Sequence, residues 1–303
     1  MTTHRPFRFG IVAHELRSAE AWAAKARRVE ALGFSTFLTI DTVGMTPAPL
    51  PALAFAAAAT RTLRVGTLVL ANDFRNPVLL ARECATVDLL SGGRFELGLG
   101  AGRPTADDDY HKLGIPLDSG GVRVERLAEA LGIVKALLGG ERVSFSGRHY
   151  AVNEADIFPQ PVQSASGGRP PILVAASGRR LLALAAREAD IVAVAGRPDE
   201  SASAFGEKID WLRQAAGDRF EQLELSVQLM AVGQEMHPQM LARFGLDPAQ
   251  LAQSTSPFFL LGAPEQMCER LLERRETLGI SYVTAPEAFL EPLAPVVQQL
   301  AGR

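Results

Sequence analysis

Eight times along this chain a short apolar run gives way to an amphipathic helix pattern. The runs are Phe7–Val12, Thr36–Ile40, Leu63–Leu70, Arg94–Gly100, Ile172–Ala175, Ile191–Ala195, Leu223–Leu229 and Ile280–Val283. Near-continuous apolar strands are buried on both faces, which marks a parallel sheet covered by helices. Eight such units in 303 residues fit a (β/α)₈ barrel better than an open sheet. The expectation is one α/β domain over residues 1–303, with loop insertions near 103–121, 141–170 and 233–260. Barrels of this kind carry their chemistry on the loops that follow the C-terminal ends of the strands. The residues just after each run are therefore the ones to inspect.

Composition narrows the class of function. The net charge of −3 comes from 34 acidic and 31 basic side chains with no basic run, which argues against a nucleic-acid partner. The Ala-rich stretch at 52–60 is too short to span a bilayer, so no membrane role is expected. The N-terminus, MTTHRPFRFG, enters a strand directly, without a signal-peptide pattern. Cys84 and Cys268 lie in helical patterns and form no ligand spacing. Together these features predict a cytoplasmic protein with reduced thiols. The five histidines have no metal-ligand spacing, and no metal is expected.

Three places carry candidate chemistry. Gly98-Leu99-Gly100-Ala101-Gly102 ends the fourth run; no helix starts there, so it is not a dinucleotide turn. Missing side chains at that strand end either relieve crowding where the strand leaves the barrel or let a flat ligand lie against the backbone, and the second reading is preferred. In the second place, Ile172–Ala176 turns through Ser177 and Gly178 directly into a helix beginning near Arg179 and Arg180. The free amides of a helix start bind anions, and here they sit late in the strand order of a barrel. A Ser-capped helix with solvated arginines is the alternative. The third is Asp41, which ends an apolar strand and stands either as a cap or as a carboxylate at the barrel mouth. His14 and His111 follow the first and fourth runs and titrate in the useful range.

Several stretches resemble the luciferase-like monooxygenase superfamily. They are Gly66-Thr67-Leu68-Val69-Leu70, Asn76-Pro77, the segment from Asp88 to Gly102, Leu113-Gly114-Ile115-Pro116 and Ala189-Asp190. The resemblance covers nearly the whole chain, and it is closest to the branch that uses the deazaflavin coenzyme F420. It implies a cofactor at the C-terminal mouth and a non-prolyl cis peptide at Leu68-Val69 supporting its ring. It further implies that Ala101 and Gly102 lie along the ring, that Ala176, Ser177, Gly178 and Arg179 hold a phosphate, and that Asp41 is the family's acidic residue. Relatives often follow that acid with His, where Thr42 stands here, and often carry a carboxylate where Arg103-Pro104 stand. The implied activity is an F420-dependent oxidoreductase, moving a hydride to or from an activated C=C or C=N bond of a small organic substrate. Asp41, His14 and His111 are the acid/base candidates. The alternatives are an FMN-dependent monooxygenase served by a partner flavin reductase, and a non-catalytic binding protein that kept the fold. Relatives commonly pair, so a homodimer through the Ala- and Leu-rich helices near 50–60 and 79–90 is expected.

Overall fold

The computed structural model describes residues 5–103, 106–166, 168–233 and 254–303. The N-terminal part runs β1 (Arg8–Val12), α1 (Ala19–Ala31), β2 (Thr36–Thr39), α2 (Pro49–Ala58), β3 (Arg64–Thr67), β4 (Leu70–Ala71), α3 (Pro77–Ser91) and β5 (Phe95–Gly100). Next come α4 (Asp107–Leu113), α5 (Gly120–Leu138) and a hairpin of β6 (Val143–Ser146) and β7 (Ala151–Ala155). The chain continues with β8 (Ile172–Ala176), α6 (Arg179–Glu188), β9 (Ile191–Val194), α7 (Ala202–Ala216), β10 (Glu224–Gln228) and β11 (Ala231–Gly233). It ends with β12 (Phe259–Leu261), α8 (Pro264–Leu278), β13 (Ile280–Pro286) and α9 (Leu290–Leu300).

The sheet closes on itself. Its hydrogen-bonded order is β1-β2-β3-β5-β8-β9-β10-β13, and β13 returns in parallel to β1 with Arg8 opposite Tyr282. The eight expected strands thus form a closed barrel with helices outside. Local chemistry sets the helix ends. Asn76 accepts from the amides of Val78 (2.9 Å) and Leu79 (3.4 Å), Pro77 occupies the first turn, and Gly92 ends α3 at φ +66°.

The segment from Arg103 to Gly121, expected as a long loop, contains the two-turn helix α4. Three aspartates at its start and Lys112 at its end complement the helix dipole, and Lys112 pairs with Asp108 at 2.5 Å. Gly114 at φ +67° stops it. The hairpin expected within 141–170 is present. The insertion expected at 233–260 falls mostly on residues 234–253, outside the described residues.

Charged groups close the N-terminal end of the barrel. Glu96 on β5 is 2% exposed and pairs with Arg8 at 2.6 Å and with Arg64. Arg8 also reaches Glu224 at 2.9 Å and lies 4.2 Å above the Tyr282 ring. Burial pushes the Glu96 carboxyl up, but the two guanidinium groups outweigh it and hold the group below the usual carboxylate range. Above this floor sits an apolar layer of Val12, Leu38, Leu68, Leu173, Ile191 and Ala193 around Tyr282. With the bottom plugged and the middle packed, the described residues leave the C-terminal mouth as the end open to a ligand.

Candidate active site at the barrel mouth

Between β3 and β4 the Leu68-Val69 peptide bond is cis, at the position where the resemblance placed it. Two glycines of β5 make room for this kink. A Cβ at Gly98 would stand 1.8 Å from the Thr67 carbonyl oxygen, and one at Gly100 would stand 2.8 Å from Val69 Cγ2. Thr67 fastens the same spot: its hydroxyl donates to Gly98 O at 2.7 Å and accepts from Gly98 N at 2.9 Å. The glycines at this strand end therefore accommodate the Leu68-Val69 segment. Ile40, Val69 and Ala175 line its apolar base.

Asp41 stands at the rim, with its side chain 8% exposed. Its Oδ2 accepts from the Ala71 amide at 3.1 Å and from Arg75 Nη1 at 2.5 Å, and Oδ1 lies 3.3 Å from Arg75 Nη2. Sequence reasoning did not single out Arg75. The signal was a lone cation in the polar loop after the third run, and only the fold shows that it faces Asp41. Thr42, beside it, accepts from Arg103 Nη2 at 3.3 Å, and the same nitrogen lies 3.2 Å from Asp109 Oδ2.

The strand-end segment Ala101-Gly102-Arg103 is gripped from outside by Arg123, which is 6% exposed. One nitrogen, Nη1, donates to the carbonyls of Ala101 (3.0 Å), Gly102 (2.9 Å) and Arg103 (3.4 Å). Gly102 has φ +77°, and a Cβ there would meet Tyr110 Oη at 2.5 Å. Tyr110 donates to Asp73 Oδ2 at 2.9 Å. Burial and the Asp73 carboxylate push its phenol up to about 12. Arg123 was also missed. Its position four residues before Leu127, on the buried stripe of α5, was the available clue.

The two histidines differ. His14 Nδ1 lies 3.1 Å from Glu287 Oε1, and Glu287 also accepts from the amides of His14 and Glu15, each at 3.0 Å, and from Lys25. Burial pushes the Glu287 carboxyl up, but Lys25 and the two amides outweigh it and leave it below the usual range. Half-exposed His14 is thus anchored at the rim where β1 and β13 end. His111 lies on the exposed side of α4, and its side chain bonds to no described residue.

Beyond β8, Gly178 is the N-cap of α6 in an extended conformation (φ −95°, ψ 153°), and no side chain caps the helix. Ser177 is exposed and does not serve as the cap. The first-turn amides are therefore open to an anion. The two neighbouring cations diverge. Arg179 stacks 4.3 Å from the Trp211 ring on α7, whereas Arg180 reaches Glu125 on α5 at 3.4 Å. Ser177 also borders a cleft of about 690 Å³ with Gly196, Arg197 and Lys208.

The profile of the luciferase-like monooxygenase family matches residues 6–251. The chain belongs to the luciferase-like monooxygenase family. Among curated relatives, an F420-dependent glucose-6-phosphate dehydrogenase of Beutenbergia cavernae is 36% identical over 140 residues, 44% of this chain and 41% of the relative. The matched stretch is thus less than half the length of that relative. Solved structures of the fold include the coenzyme F420-dependent tetrahydromethanopterin reductase of Methanopyrus kandleri (TM-score 0.77, 18% identity, 97% of this chain and 99% of that one). A monooxygenase from Streptomyces bottropensis superposes with TM-score 0.72 at 22% identity over 96% of each chain. At these identities the solved structures establish the fold of this family member. No helix of its described residues is long and apolar enough to cross a membrane.

Proposed function

We propose that this luciferase-like protein is an F420-dependent oxidoreductase that moves a hydride between the reduced deazaflavin and an activated C=C or C=N bond of a small organic substrate. The observation that carries this reading is the pairing of a strand-end floor with an uncapped helix start. The Leu68-Val69 segment, seated against Gly98 and Gly100, presents a strand-end surface for a flat ring, and one strand further round, Gly178 opens α6 with its amides free. A Cβ at Gly178 would meet nothing within 4 Å, so there is space for a phosphate against that turn. The residues present therefore fit the cofactor, and the names of the curated relatives favour F420 over FMN. When bound, the reduced coenzyme would supply a hydride, the oxidised form would accept one, and the reduced form reacts poorly with oxygen.

The chain's own residues have distinct parts in this reading. Leu68, Val69, Ala101 and Gly102 form the surface along the ring, while Ala176, Ser177, Gly178 and the Arg179 amide hold the phosphate. Asp41 positions Arg75 through both carboxylate oxygens and the end of β4 through Oδ2. With Thr42 in the place of a usual histidine, the proton passes through another group. His14, which contacts Glu287 at the rim, is the first candidate, and His111 is the second. Pairing of two copies is supported by the exposed Phe55 on α2 and Leu79, Leu89 and Leu90 on α3.

Titration of the purified protein with F420 and FMN, oxidised and reduced, tests the reading. Micromolar binding of F420 with weak FMN binding is the expected result. Preference for FMN, with oxygen consumed when a flavin reductase is present, overturns it in favour of a monooxygenase. Binding of neither points to a fold that has lost catalysis.

A further inference from the structure

Thr42 follows β2 and Arg103 follows β5, and β3 lies between those strands in the barrel. The Arg103 side chain crosses that gap to reach Thr42 Oγ1 and Asp109 Oδ2 through the single nitrogen Nη2. Its guanidinium group therefore passes over the end of β3, where the Leu68-Val69 bond forms the mouth. Nε–H and the two Nη1–H groups have no partner among the described residues. The side chain is 58% exposed, whereas Asp109 is 5% exposed. The head is thus fixed by buried groups on one nitrogen and offers its other donors to the open mouth.

The charges around it are largely matched. Arg75 is matched by Asp41, and Arg103 by Asp109. Arg123 makes no ion pair with a described residue; its charge is spent on the three carbonyls of Ala101, Gly102 and Arg103. Asp73 and Asp118 share Arg126 close by and offset the charge of Arg123, so these groups balance. With no charge in excess, the spare planar donors of Arg103 suit a monoanionic carboxylate better than a phosphate dianion. The direction of Arg103 also separates it from the phosphate turn. It points toward β2, whereas α6 begins after β8, on the other side of β5.

We propose that Arg103 is the specificity-determining residue of the mouth and selects substrates that carry a carboxylate. The proposal rests on the mouth being the active site. Thr42 and Asp109 are positioning residues for it, acting through the guanidinium group. The two departures from the usual family residues, Thr42 and Arg103, then form one device in place of an acid/base pair.

The test uses the protein loaded with F420 and three probe pairs: crotonate, benzoate and cinnamate, each against its primary amide. Affinities are read by calorimetry, and F420 affinity by its fluorescence. In the wild type at least one carboxylate binds about tenfold or more tighter than its amide, the effect of one charge-assisted hydrogen bond. Arg103→Gln removes the preference, Arg103→Lys keeps part of it, and F420 affinity stays within about twofold in both. Absence of a carboxylate preference in every wild-type pair overturns the proposal, as does a preference that survives Arg103→Gln. A large fall in F420 affinity in Arg103→Gln assigns the residue to the cofactor and also overturns it. If the protein binds no F420, the cofactor reading fails, and the same titrations on the protein alone still decide the role of Arg103.

Discussion

Replacing Gly178 with Asp is expected to stabilise the fold and weaken the cofactor at the same time. Gly178 is the N-cap of α6, its φ of −95° and ψ of 153° suit any residue, and a Cβ there meets nothing within 4 Å. The variant has no steric reason to misfold. An Asp side chain at an N-cap accepts from the amide two or three residues on and sits favourably at the positive end of the dipole. Relative to Gly that contributes a few tenths to about 1 kcal/mol, a rise of about 1–3 °C in melting temperature for a chain of this size. The same carboxylate occupies the first-turn amides and repels a phosphate. Loss of one hydrogen bond to a charged group costs about 1.5–3 kcal/mol, or about ten- to hundredfold in affinity. Differential scanning fluorimetry without ligand and fluorescence titration with F420 read the two effects separately. An unchanged F420 affinity in a variant that melts at or above the wild type refutes the assignment of this turn to the phosphate.

Three further outcomes follow from the charged groups. Asp41→Asn leaves Arg75 without its carboxylate and is expected to lower turnover more than F420 affinity; a larger change in F420 affinity than in kcat contradicts the positioning role. His14→Ala is expected to lose about tenfold or more in rate, within the usual contribution of a general acid, whereas solvent-facing His111→Ala keeps the wild-type rate. Full rate in both variants assigns the proton to another group. At the barrel floor, Glu96→Gln leaves Arg8 and Arg64 without their shared partner, expected to cost about 3–5 kcal/mol in urea denaturation at neutral pH. Because Glu96 is held below its usual value of 4.5, its contribution is complete above about pH 4.5 and is lost as the pH falls through the folded-state value. The acid limb of the wild-type stability curve is therefore expected to flatten in Glu96→Gln, and an unchanged limb contradicts this account.

The parts of this protein that are legible in its sequence are those set by neighbours along the chain. The eight apolar runs and their order predict the barrel, because a period of 2 and a period of 3.6 are local properties. Gly178 before a helix pattern marks an uncapped turn, and Asn76-Pro77 marks a helix start, for the same reason. The resemblance in Gly66–Leu70 placed the cis bond at Leu68-Val69. Barrel closure decided the rest. Arg8, Arg64, Glu96 and Glu224 lie on four strands, and nothing in their spacing shows that they share one floor. Asp41 meets Arg75, Arg103 spans β3 to reach Thr42, and Arg123 reaches three carbonyls of a strand end about twenty residues earlier because tertiary packing brings neighbouring loops and helices together. Such pairs form only where the register and order of the strands bring buried charges within reach of partners, since an unpaired buried charge is too costly to keep. Local pattern thus specified the elements, and long-range electrostatics inside the closed barrel specified the site.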